Sequence, residues 1–330
     1  MNRKLVFLSL VFLTIRLVNA QNPYHFLLGE EELAAIDVYD INQTNDGIYW
    51  IATNTGIYSY NGYSFTKYEH QATLSNSFFN LTKDYNDAVY FNNLNGQIFK
   101  IKNGSMKLVH SIPDSLLAPY ISFNFLKNNT LVVRSYGCYT VEDTVINTLV
   151  EWTNEDNVLS SLARDDKENL LLQLNNHKLI KITEEGIEET AITYEDSQYN
   201  HSLNILNFFY HSGGILVNGN GKYIFKAEEL AQNHFHLSKV HSTIDAFSRI
   251  HFNSDKFWIS NHRFGVRTYD YDFTNRQSPR LLFKKHYISA VFEDDNGNIL
   301  LGTFGDGIIV IPKTGPARVA LVFLSVRFSV

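Results

Sequence analysis

"DGIYWIATNTGIYSYNGYSF", residues 46–65, and "DNGNILLGTFGDGIIVI", residues 295–311, run through the same order of events. Each has a turn containing Gly, an apolar run, Ala or Gly followed by Thr, a second Gly, and a second apolar run. Taking that second Gly (Gly56 and Gly307) as a marker, similar segments recur between them. They are "AVYFNNLNGQIFKIKNG" with Gly96, "TLVVRSYGCYTVED" with Gly137, "NLLLQLNNHKLIKITEEG" with His177 in the marker place, "GGILVNGNGKYIFK" with Gly221, and "DKFWISNHRFGVRTYD" with Gly265. Successive markers lie 40, 41, 40, 44, 44 and 42 residues apart. A steady period of about forty residues is the spacing of a propeller blade built from four short strands.

Each period holds four strand-like segments, which in the first are "DVYDINQ", "IYWIAT", "GIYSYN" and "SFTKYE". Asn45-Asp46-Gly47, Asn61-Gly62 and Asp295-Asn296-Gly297 supply residues that tolerate positive φ, as tight hairpins demand. The last period has no ordinary fourth strand before the chain passes into "KTGPARVALVFLSVRFSV", whereas "YHFLLG" (Tyr24–Gly29) stands spare ahead of the first. A circular array of sheets closes when one terminus completes the blade begun by the other, which removes exposed edges. The expectation is an all-β chain, a seven-bladed β-propeller over 21–313 closed by an N-terminal outer strand, with an atypical, truncated-looking tail over 314–330.

Composition agrees with one large β domain. Of 330 residues, 44% are apolar, enough for a sizeable core, and 14% are aromatic, a type that packs well on pleated surfaces. A net charge of −6 offers no electrostatic reason to bind nucleic acid. Residues 1–20, "MNRKLVFLSLVFLTIRLVNA", begin with Arg3 and Lys4, continue through an apolar stretch and end in Val18-Asn19-Ala20. They read as a signal peptide cut before Gln21, and hence as an exported protein. The single cysteine, Cys138, can make no internal disulfide and reads as a small buried residue in a strand.

"INQTNDGIYWIATNTGIYSYNGYSF" resembles the two-component regulator propeller repeat. Asp46-Gly47, Trp50-Ile51-Ala52-Thr53 and Gly56-Ile57-Tyr58 match its pattern, with Ala52 for the usual Gly. Asp295-Asn296-Gly297-Asn298 and Gly302-Thr303 match again, with Leu300 for the usual Trp, and Trp258-Ile259 matches in the sixth period. "YHFLLGEEELAAIDVYDI" is similar to the family's N-terminal lead-in. The resemblance covers about residues 24–313 and implies the periplasmic sensing portion of a bacterial sensor histidine kinase or hybrid regulator. It also implies downstream sensor domains or a homodimer partner, a membrane helix and a kinase beyond this stretch. Binding rather than catalysis is then expected of this chain. An unknown extracellular ligand, a glycan among the candidates, would sit on the loop-built face where blades converge. A streptogramin-lyase-like enzyme and a protein-interaction scaffold are the alternatives.

Chemistry-bearing residues are few, and none is assigned a catalytic, cofactor or metal role. Glu293–Asn298, "EDDNGN", offers oxygen ligands but places Gly297 wrongly for a calcium loop and reads as a hairpin turn. His234 and His236 alternate along a strand and share a face, without a legible third metal ligand. Gly213–Gly221 is glycine-rich but sits between strands rather than before the helix that a phosphate cradle needs. Trp50 and Trp258 hold equivalent repeat positions and read as packing rings. Asn42 and Asn80 head Asn-X-Thr sequons.

Overall fold

The computed structural model describes residues 22–142, 145–151, 162–174, 178–201, 206–211, 214–220, 222–231, 234–242, 249–252, 256–260, 265–271 and 281–314. The leader over 1–20, the tail beyond Thr314, and the marker positions His177 and Gly221 lie outside them. Regular structure among these residues is almost all strand. Helix among the described residues is limited to two short 3-10 turns, Asp114–Leu116 and Ser197–His201. No described helix is long and apolar enough to cross a membrane.

The strands sort into four-stranded antiparallel units. The first runs Ala34–Gln43, Tyr49–Thr53, Ile57–Tyr60 and Phe65–Tyr68, each paired with the next. Its boundaries fall where the turn chemistry puts them, at Gly47, Gly56 and Gly62, all with positive φ. Further units follow over 78–111, 122–150, 163–194, 206–242 and 249–282. The final one has three consecutive strands, Ile288–Glu293, Ile299–Asp306 and Ile308–Ile311, and its fourth comes from the other end of the chain. Phe26–Leu28 pairs antiparallel with Ile308–Ile311, Phe26 opposite Val310 and Leu28 opposite Ile308.

The core lies between units. Trp50, Ala52 and Ile57 of the first pack on Phe78, Phe91 and Phe99 of the second. Leu126, Val132 and Cys138 meet Leu170, Leu172 and Ile180, and Trp258 and Val266 meet Ile288, Leu301 and Ile309. Leu33, Val38, Ile41 and Ile51 near the N-terminus pack on Ala290, Leu300, Ile308 and Val310 near the C-terminus. Burying one such side chain contributes roughly 1.5–3 kcal/mol. A single four-stranded unit, apolar on both faces, therefore needs neighbours on both sides. Trp50 and Trp258 are thus packing rings, and Cys138 is fully buried, its thiol pushed up to about 12 by that burial.

The first-to-second-strand turns repeat a device the sequence hides. Asp84, Asp165 and Asp294 each receive two backbone N–H groups through Oδ1, from residues two and four further on. The residue three after each turn's start is left-handed: Gly47 (φ 84°), Asp87 (60°), Asn129 (66°), Glu168 (67°) and Gly297 (77°). "EDDNGN" is one of these turns, organised by Asp294. A Cβ on Gly47 would meet nothing within 4 Å. Gly47→Ala is therefore expected to cost about 1 kcal/mol through backbone conformation alone. A chemical-denaturation midpoint identical to that of the parent would refute this.

Candidate functional site

The opposite ends of the second strands carry another periodic feature. Thr53, Asn93, Ser135, Gln173, Asn218, Ser260 and Thr303 stand at or toward the ends of their strands and are all 5% exposed or less. Thr53, Asn93 and Thr303 pin the turn that follows, whereas Ser135 holds the incoming segment through the Leu116 carbonyl and the Ala118 N–H, and Gln173 accepts the Leu206 N–H. Thr53 Oγ1 donates to the Gly56 carbonyl at 2.8 Å, and Thr303 Oγ1 to the Gly307 carbonyl at 2.7 Å. Asn93 Oδ1 accepts from the N–H groups of Asn95 and Gln97. Turns held in this way form a rigid rim beside the loops that join one unit to the next.

On this rim lies a cavity of about 490 Å³ where the first three units converge. Tyr39 and Asp40 come from one first strand, Phe79 and Asn80 from the next, and Ala118–Ile121 from the segment leading into the third. Tyr39 and Asn80 both stand in register shifts, between Val38 and Asp40 and between Phe79 and Thr82. A bulge of this kind re-aims a side chain that a regular strand would send to the core. Asn80 takes φ 56°, an uncommon conformation for a residue other than glycine. Its Nδ2 donates to Asn92 Oδ1 and to the Ile121 carbonyl, both at 2.7 Å. Asp40 Oδ2 accepts the Leu81 N–H at 2.8 Å and so ties the two bulged strands together.

Aromatic rings extend the cavity along the rim. Tyr39 stacks on Phe79 with centroids 4.6 Å apart, meets Phe304 edge-on at 6.0 Å, and Phe304 lies 6.5 Å from Tyr287. Phe304 and Tyr287 are 39% and 38% exposed, and Tyr120 and Leu94 at the cavity edge are 66% and 63% exposed. Arg134 supports Tyr120 from below, donating from Nη1 to its carbonyl at 2.9 Å. Burial lowers this guanidinium to about 10, so it is still charged at neutral pH. The site is therefore a shallow aromatic face with fixed amide groups at one end.

No protein-family model matches the chain, and no curated protein matches it significantly. Solved structures do. Virginiamycin B lyase from Staphylococcus aureus superposes with TM-score 0.66 at 16% identity, over 87% of this chain and 97% of that one. The extracellular domain of BT4673 from B. thetaiotaomicron, assigned as a hybrid two-component system, gives TM-score 0.65 at 16% identity, over 89% of this chain and 40% of that one. YCF48 from Cyanidioschyzon merolae gives 0.61 at 11%, over 88% and 98%. The fold is a β-propeller. At such identities the likeness concerns fold alone, and it reaches lyase and sensor equally. This chain spans about 40% of the BT4673 domain.

The other sequence candidates lie elsewhere in the propeller. His234 and His236 do share a face of the strand His234–Ser242, and both point at one hydroxyl. Thr193 Oγ1 lies 3.0 Å from His234 Nε2 and 3.1 Å from His236 Nδ1. Among the described residues no three His, Cys, Asp or Glu side chains are placed to hold a metal. The glycine-rich stretch is not a loop between strands: Gly214–Gly219 is itself the second strand of its unit, while Gly213 and Gly221 lie outside the described residues. Asn42 and Asn80, the sequon residues, sit in strands with both amides engaged, Asn42 Nδ2 on the Leu81 carbonyl at 3.2 Å. Tyr39 and Phe79 escaped the sequence reading because no spacing marks a bulge, and Tyr287 and Phe304 because nothing along the chain marks a ring that joins a row across units.

Proposed function

We propose that the chain is the exported ligand-sensing propeller of a two-component type of signalling protein, acting by binding and without turnover. In this reading its units are the seven blades of one closed ring, with Phe26–Leu28 as the outer strand of the last blade. The antiparallel pairing of that strand with Ile308–Ile311 and the apolar contact between first and last units support the closure. The observation that carries the functional reading is the aromatic row Phe79, Tyr39, Phe304 and Tyr287 beside the fixed amides of Asn80 and Asn92. Sugar rings present apolar faces that stack on aromatic rings and hydroxyls that pair with amides, so an oligosaccharide is the ligand class that fits. Sensing further requires that the ligand prefer one of two states of a larger assembly. Downstream domains or a second copy would hold those states.

The purified protein applied to an oligosaccharide array, followed by chromatography of any bound sugar, tests this. Retention of at least one oligosaccharide, recovered intact, is expected. Retention of none, or conversion of a sugar or a streptogramin, would overturn the reading, the latter in favour of an enzyme.

A further inference from the structure

The crevice between the 163–194 and 206–242 units is built unlike the others among the described residues. Their outer strands, Gly186–Tyr194 and His234–Ser242, pair in parallel, Ala191 opposite His234 through Tyr194 opposite Leu237. No other two outer strands are joined among the described residues. The pairing spans the outer end of the crevice, and a cavity of about 420 Å³ lies beside it. Leu171, Ile215 and Phe235 make its apolar wall.

Two features of the lining point to a ligand. Thr190 is 4% exposed, and its Oγ1 has no hydrogen-bond partner. An unpaired buried hydroxyl costs about 1–3 kcal/mol, which a donor held in the cavity would recover. The second feature is charge. Asp165 is already engaged by its turn N–H groups and by Lys181 Nζ at 3.4 Å. Asp166 and Glu229 line the same cavity, are exposed and make no ion pair among the described residues, as is also true of Lys167. Carboxylates thus outnumber ammonium groups around the lining. The Tyr210 hydroxyl is held above its usual range by burial first and then by Asp165, Asp166 and Glu229, so it stays protonated and neutral.

We propose that this cavity binds a small primary ammonium compound with a short apolar stem. The stem would lie against Leu171, Ile215 and Phe235, and the ammonium, with three donors, would face Glu229 and the oxygens of Thr190 and Tyr210. This site is separate from the aromatic face and does not rest on the sensing reading. Isothermal titration with pentylamine, and with pentanoate as an oppositely charged compound of the same carbon count, tests it. Pentylamine should bind once per chain and pentanoate should give no heat. Glu229→Gln, at an exposed position, should weaken pentylamine about tenfold, the equivalent of 1.4 kcal/mol. Thr190→Val should also weaken it while raising the melting temperature, because the unpaired hydroxyl is gone. Tyr39→Ala, at the other face, should leave the titration unchanged. Absence of pentylamine binding at millimolar concentration, equal binding of pentanoate, or binding indifferent to Glu229→Gln would each overturn the proposal.

Discussion

Deleting Tyr24–Gly29 is expected to lower the melting temperature by roughly 6–8 °C. Phe26 and Leu28 pack in the cluster that joins the first unit to the last, and Leu27 packs in the cluster with Trp258 and Leu301. Truncating large apolar side chains typically costs about 2–5 kcal/mol each when fully buried. These three are half-buried, so the loss is about 4 kcal/mol before the ladder Phe26–Val310, Leu27–Ile309, Leu28–Ile308 is counted. In a protein of this size about 1 kcal/mol moves the midpoint by roughly 1.5 °C. The deletion also bares the edge Ile308–Ile311, all apolar, so aggregation above the midpoint should increase. A point substitution tests the same joint without shortening the chain. Gly307 has φ 69°, and a Cβ there would meet the Leu28 carbonyl oxygen at 2.9 Å. Gly307→Val should therefore destabilise in the same direction, since a β-branched residue fits neither the conformation nor the space. Equal midpoints for parent, deletion and Gly307→Val in a thermal melt would show that the two ends of the chain are not fastened by this strand.

Tyr39→Ala and Phe79→Ala are each expected to reduce affinity for an array-selected oligosaccharide by about 30-fold, the equivalent of 2 kcal/mol for a central aromatic contact. The two rings stack at 4.6 Å, so each holds the other in place, and the double substitution should lose less than the sum. Asn80→Ala should act differently. Its amide joins Asn92 to the Ile121 carbonyl, so its loss frees the segment 118–121 and affects binding through the shape of the cavity. Titration calorimetry with the selected sugar decides. Unchanged affinity in both single variants, with folding intact by circular dichroism, would remove the aromatic face from the binding site.

The aromatic row exists only in the folded chain. Tyr39 and Tyr287 are 248 positions apart, 287 less 39, yet belong to one aromatic row that runs through Phe304. Nothing in the spacing of either singles it out. Tyr39 follows Val38 inside an ordinary-looking strand, and only the register shift turns it to the rim. The buried polar residues toward the ends of the second strands were equally hidden. Thr and Asn hold the turn that follows while Ser135 and Gln173 hold an incoming segment, so the position repeats while the residue type does not.

The local grammar is written along the chain: the period of about forty residues, the four segments in each, and the hairpin positions at Gly47, Gly56, Gly62, Gly297 and Gly307, all of which take positive φ. These are legible because a tight turn restricts residue type at one place in the chain, and because alternating apolar residues record which face of a strand is buried. The spare strand at the N-terminus was legible for a related reason, since an incomplete last period leaves an edge that something must cover. The tertiary structure alone decided which residues meet. Bulges, the parallel joint between Gly186–Tyr194 and His234–Ser242, and the two cavities depend on contacts between residues far apart in sequence. Such contacts constrain shape and charge across units without requiring a particular residue at a particular spacing, so they leave no pattern along the chain.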